Sequence, residues 1–243
     1  MVKERRLGCL KGCFSFVLLM IIAITVVTGL IIHKLKSDDH NINIVWDDQD
    51  YESGIKKAKT QVNGDIAELN LLTVYYGAYK TEGTVNINDK FSEKEINAIL
   101  NKANSTGPVK DINIKFRSNN RFEFKCRPDS SIMPIMNKHL GLSEIDNAFA
   151  VKWISRIINN KPIYGNGYVE IISENHIRLH MDYAKIGNIA IKGDSLLKLR
   201  LELESLINSI LAKKNGIVIK NLNIDEGSLD FSGSLPAKIS TNK

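Results

Sequence analysis

Cysteine is almost missing from this chain. Three thiols in 243 residues, at positions 9, 13 and 126, cannot close a disulfide framework, so core packing must hold the fold. Proline occurs only five times and aromatic residues make up 7%, which excludes collagen-like and proline-rich disordered chains. An excess of basic charge is also lacking outside one short region. The net charge is +6, yet residues 1–36 hold six Lys/Arg against the single acid Glu4, and the other 207 residues hold 27 basic and 26 acidic side chains. Duplex DNA presents one phosphate charge per about 1.7 Å of axis, so a domain this near neutrality lacks a nucleic-acid footprint.

Catalytic signatures are missing as well. There is no G-x-S-x-G elbow, H-E-x-x-H, phosphate loop or dinucleotide fingerprint, so no enzyme and no cofactor are expected. The most metal-like string is His176-Ile-Arg-Leu-His180-Met-Asp182. Ile177, Leu179, Met181 and Tyr183 alternate there with polar residues, which marks a strand. Four strand residues set the two imidazoles about 13 Å apart, too far to share an ion at about 2.1 Å per bond. No metal site is expected.

What the chain does contain is one long apolar run. Phe14 to Ile32 is nineteen residues without a charge, about 28 Å as a helix and close to the thickness of a bilayer core. A cleaved signal peptide would need a small-x-small site, and the run ends instead in Ile31-Ile32-His33-Lys34. Lys3, Arg5, Arg6 and Lys11 precede it, and Asp38, Asp39, Asp47, Asp48 and Asp50 follow. The expectation is a single-pass membrane anchor, with residues 1–13 cytoplasmic, 14–32 transmembrane, 33–54 a polar tether and 55–243 an extracytoplasmic domain.

Within that domain, Ile55, Ala58, Val62, Ile66, Leu69, Thr73 and Tyr76 recur at helical steps interrupted near Gly64. Val85 and Ile87 mark a strand. Ser92-x-x-Glu95 is a capping box, and Ile96, Ile99 and Leu100 give the face of the helix it opens. Ile112, Ile114 and Phe116, then Phe122, Phe124 and Cys126, alternate across a turn at Ser118-Asn119-Asn120, a hairpin with one wet face. A helix is expected around 143–158, a second hairpin over 164–183, a Leu-rich helix over 194–212 and two closing strands, 216–224 and 228–232. Leu197 and Leu201 widen the apolar surface of the Leu-rich helix beyond a coiled-coil seam, which predicts a core helix.

The fold class expected from this order is α+β: an N-terminal transmembrane helix, then one domain of mostly antiparallel, curved sheet packed on long apolar helices. Phe122 and Phe124, Trp153 and Ile157, and Leu179 and Met181 offer large apolar side chains from three elements. They are the candidate lining of a lipid-binding groove, although an ordinary filled core would use the same residues.

The stretches Phe91-Ser-Glu-Lys-Glu-Ile-Asn97, Ile186–Ile191, Ile217-Val-Ile219 and Gly227–Pro236, with the anchor, resemble the YpmS-like single-pass envelope proteins of Gram-positive bacteria. Those in turn resemble the tubular lipid-binding (TULIP-like) domains. The resemblance covers roughly 84–240 and carries no catalytic signature. It implies an apolar cleft for an acyl chain, hence a membrane lipid as partner. The alternative is an interaction module that binds another envelope protein or itself, for instance by strand addition along 228–232.

Overall fold

The computed structural model describes residues 42–132, 160–212 and 216–241. Among them are four α-helices: α1 Asp48–Ala58, α2 Leu71–Tyr76, α3 Glu93–Ala103 and α4 Asp194–Leu211. The strands are β1 Gln61–Asn63, β2 Tyr79–Ser92, β3 Val109–Arg117, β4 Arg121–Pro128, β5 Ile163–Ser173, β6 His176–Ile186, β7 Ile189–Ile191, β8 Val218–Asp225 and β9 Ser228–Thr241.

Two sheets result. In the first, β9 is central: β2 pairs antiparallel along one side of it, while β8 and then the parallel β1 share the other. The change from β8 to β1 falls at Pro236, which has no N–H to donate to a ladder. Its carbonyl accepts the Thr60 hydroxyl at 2.8 Å in the gap between the two strands. The second sheet is an antiparallel meander, β3-β4-β5-β6-β7. Phe231 packs in both hydrophobic clusters, one around Ile87 and Phe91, the other around Ile177, Leu211 and Ile219, and so joins the layers.

The edges are closed in an unusual way. From α3, Asn101, Asn97 and Glu93 bond in turn to the backbone of Ile112, Ile114 and Phe116 in edge strand β3. Each asparagine both donates to a carbonyl and accepts from an N–H, at 2.6–3.0 Å. A helix running antiparallel to a strand advances about 6.0 Å in four residues, and a strand advances about 6.7 Å in two, so successive turns meet successive outward amides. From α4, Asn208 grips both backbone groups of Ile177 in the same way, and Glu204 accepts the Leu179 N–H. The outer edge of β8 is held by Asn120 and Asn175, each at the tip of a hairpin and each with positive φ. Asn120 exchanges bonds with Ile224, and Asn175 bonds Ile217 and Ile219.

Several expectations hold and several are corrected. The Ser92–Glu95 capping box, the two hairpins and the 194–212 helix are present. The expected fold class is not. The described residues are mostly antiparallel sheet with four helices, three of them of 11 residues or fewer, and no described helix is long and apolar enough to cross a membrane. No N-terminal transmembrane helix appears among the described residues; the 14–32 run lies outside them, as do Trp153, Ile157 and the helix expected around 143–158. The helices are not long apolar supports of a curved sheet, because α3 and α4 cover strand edges and use polar side chains to do so. Accordingly Leu197 and Leu201 of α4 are 50% and 47% exposed rather than buried. Of the expected 33–54 tether, the described part, residues 42–54, packs on the domain. Ile42 is buried, the Ile44 N–H donates to Asn113 Oδ1, and Asp47 opens α1 by capping Gln49 and Asp50. Residues 228–232, expected as a spare edge, lie in the middle of the first sheet, paired on both sides.

Candidate functional site

Between the first sheet and helices α1 and α3 lies a cavity of about 350 Å³. Its floor is the inward parity of β9, with Leu229, Phe231 and Leu235, extended by Pro236 and Ile239. Ile55 and Ala58 of α1 form one wall, and Ile96, Ile99 and Ala103 of α3 another. The segment from Thr60 to Tyr79 closes the end with Val62, Ile66, Leu69 and Val74. The lining is carbon almost throughout. The Thr60 hydroxyl donates to the Ala58 and Pro236 carbonyls, so its proton is already engaged within the protein.

The α1 and α3 walls are fastened together by Glu95. This carboxylate is 4% exposed and accepts from Lys57 Nζ at 2.8 Å, from the Ser53 hydroxyl and from the Ser92 N–H at 2.7 Å. Burial opposes its ionisation, but the hydrogen bonds from Lys57, Ser53 and Ser92 outweigh burial and hold its pKa below the ordinary glutamate value. Gly54 lets the helices approach closely here, since a Cβ at that position would lie 2.8 Å from Ile99 Cδ1.

The residues expected to line a groove sit elsewhere. Phe122 and Phe124 of β4, with ring centroids 6.2 Å apart, share one face of the second sheet with Leu179 and Met181 of β6. That face meets at the β5 glycines: Gly167 lies between Phe122 and Met181, and the Phe124 ring covers Gly165 so closely that a Cβ there would fall 2.5 Å from it. None of the four lines the 350 Å³ cavity. Cys126 follows on the same face, and burial pushes its thiol up to about 12. The opposite face is networked rather than simply wet. Arg117 bonds Glu123 at 2.8 Å and Glu226 at 2.9 Å, Tyr164 donates to Glu123, and Arg121 pairs with Asp182. His180 stacks on Tyr168 at 4.2 Å. No cluster of metal-ligating side chains occurs among the described residues.

The signal for the cavity was present in the recurrence Ile55, Ala58, Val62, Ile66 and Leu69, all of which line it, together with Ile96 and Ile99. Their spacing reads as an interrupted helix. The chain in fact passes through helix, strand and 3-10 turn, which curl the same residues around one space. No protein-family model, no curated protein and no solved structure matches this chain, so nothing identifies a YpmS-like or TULIP-like family.

Proposed function

We propose that this cavity receives the hydrocarbon chain of a lipid or similar amphiphile. The observation that carries the reading is a space of about 350 Å³ lined almost wholly by carbon, in which the Thr60 hydroxyl is bonded to the Ala58 and Pro236 carbonyls. A wall this apolar offers water almost no hydrogen-bond partners, so the space favours hydrocarbon over water. The volume is near the lower end of small-molecule sites, at about 300–1,000 Å³, which suits a single chain better than a bulky ring system. Lipid binding is thereby assigned to the first sheet and its two helices, not to Phe122, Phe124, Leu179 and Met181.

The test is a titration of the full-length chain with cis-parinaric acid, a fluorescent fatty acid, followed by competition with saturated fatty acids of increasing length. Each buried methylene contributes about 0.8 kcal/mol, so competition should strengthen with length and then level off once the cavity is full. Ile99→Trp, which fills the space from α3, should abolish saturable binding while the protein stays folded. Binding that is indifferent both to chain length and to Ile99→Trp would remove the proposal.

A further inference from the structure

The edges of β3, β6 and β8 are closed by side-chain amides and carboxylates, but the edge of β2 is not. β2 pairs only with β9. Thr84 stands opposite Pro236, which has no N–H, so that pair is a non-hydrogen-bonded one. Alternate residues Thr84, Asn86, Asn88 and Lys90 therefore turn their backbone N–H and C=O away from β9. Lys90 displays this orientation: its carbonyl accepts Lys57 Nζ from α1 at 2.8 Å, and its N–H donates to Asp89 Oδ1. Thr84, Asn86 and Asn88 are exposed, and no described residue bonds their outward backbone groups. The open edge is bounded on one side by the α1 contact at Lys90 and on the other by Gly83, whose φ of +62° interrupts the strand. Asn86 is its midpoint.

We infer that the partner of this edge is a second copy of the chain, paired antiparallel through β2 about a twofold axis at Asn86. The side chains match themselves in that register. Asn86 faces Asn86 of the second copy, Thr84 faces Asn88, and Glu82 faces Lys90, so opposite charges meet at both ends. On the cavity-side face, Val85 meets Ile87. The neighbouring registers are worse. An axis at Val85 sets Lys80 against Lys90, an axis at Thr84 brings Gly83 of each copy next to the centre, and an axis at Ile87 or Asn88 requires the Lys90 groups that Lys57 and Asp89 hold. Glu82 and Lys90 are 65% and 61% exposed and pair only loosely within the monomer, Glu82 with Lys238 at 3.4 Å and Lys90 with Asp230 at 4.0 Å, so each can exchange that partner for the other. The Asn86–Asn86 pair and the two Thr84–Asn88 pairs each exchange two backbone hydrogen bonds, Glu82 and Lys90 meet through their side chains alone, and two four-stranded sheets become one.

The experiment uses the full-length chain with single cysteines along β2, and the wild-type chain gives the background from its own three cysteines. Facing residues of this kind lie about 5.5 Å apart between Cα atoms, within the span of about 4.4–6.8 Å that a disulfide bridges. Asn86→Cys should oxidise to a covalent dimer well above background. Thr84→Cys and Asn88→Cys should each fail to cross-link alone, because each cysteine would sit about 13 Å from its counterpart in the second copy, and should cross-link when mixed. Asn86→Pro removes an N–H that the monomer does not use, so it should abolish the dimer in sedimentation equilibrium and leave the circular dichroism of the fold unchanged. A wild-type chain that is monomeric at every concentration, cross-linking no stronger at Asn86 than at Thr84 alone, or a dimer that survives Asn86→Pro would each overturn the inference.

Discussion

Replacing Asn97 with alanine tests the way the sheet edges are closed. Asn97 has no solvent exposure and makes three hydrogen bonds: Nδ2 to the carbonyls of Ile114 at 2.7 Å and Glu93 at 2.6 Å, and Oδ1 from the Ile114 N–H at 2.8 Å. Alanine leaves both backbone groups of Ile114 without partners beneath α3. A buried group left unsatisfied costs about 1–3 kcal/mol, so the two together should cost about 2–6 kcal/mol, toward the lower end if water follows the truncated side chain. At about 3 kcal/mol, the melting temperature of a chain this size should fall by about 6–12 °C. Urea denaturation of the full-length chain, followed by far-ultraviolet circular dichroism, measures the loss directly. Asn223→Ala, at an exposed position in β8, supplies the comparison and should stay within about 0.5 kcal/mol of wild type. The Asn97→Asp variant sharpens the test, because an ionised carboxylate can accept from Ile114 but cannot donate to it. Its deficit relative to wild type should therefore shrink in acid, where the protonated group regains a donor. A cost below about 1 kcal/mol for Asn97→Ala would refute the argument, since a loss that small is what a surface asparagine gives.

Two further expectations follow from the contacts above. Because the Glu95 pKa is held below its ordinary value, its contribution to stability is complete above the unfolded glutamate value and disappears as pH falls through the folded one. Glu95→Gln should thus be less stable than wild type near neutrality, and the two denaturation midpoints should converge in acid; a constant gap across pH would contradict this. Gly165→Ala should destabilise by about 1–3 kcal/mol through the Phe124 ring. Adding Phe124→Leu should recover part of the loss, and purely additive costs would show that the ring is not the obstacle.

Where local pattern decides structure, the sequence was readable. The hairpin turning at Ser118-Asn119-Asn120 and the Ser92–Glu95 box follow from alternation and capping alone, since each depends on residues a few positions apart. The common face of Phe122, Phe124, Leu179 and Met181 follows from strand parity. The cavity was harder. Ile55 through Leu69 change secondary structure twice around Gly64, whose φ is +103°, and periodicity cannot follow a chain that alters its period. The roles of the asparagines were hidden for a different reason. Asn97 and Asn101 lie four apart beside Ile96 and Leu100 and read as the polar margin of an amphipathic helix, because their partners are backbone atoms of a strand distant in sequence. The chain's 24 asparagines were a compositional clue without an address.

That mode of edge closure should leave a mark on amide exchange. In a sheet flanked by strands, the amides of one strand are released in neighbouring groups as a partner strand peels away. Here successive amides of one strand depend on different elements. Ile112, Ile114 and Phe116 are protected only while α3 stays docked, whereas the intervening Asn113 and Lys115 are bonded to β4. Likewise Ile177 and Leu179 depend on α4, while Arg178 and His180 are held by β5. A helix can lift off without breaking a single ladder bond, so β3 and β6 should each exchange in two interleaved classes, residue by residue. The faster class reports the free energy of undocking one helix, and the slower class that of opening the sheet.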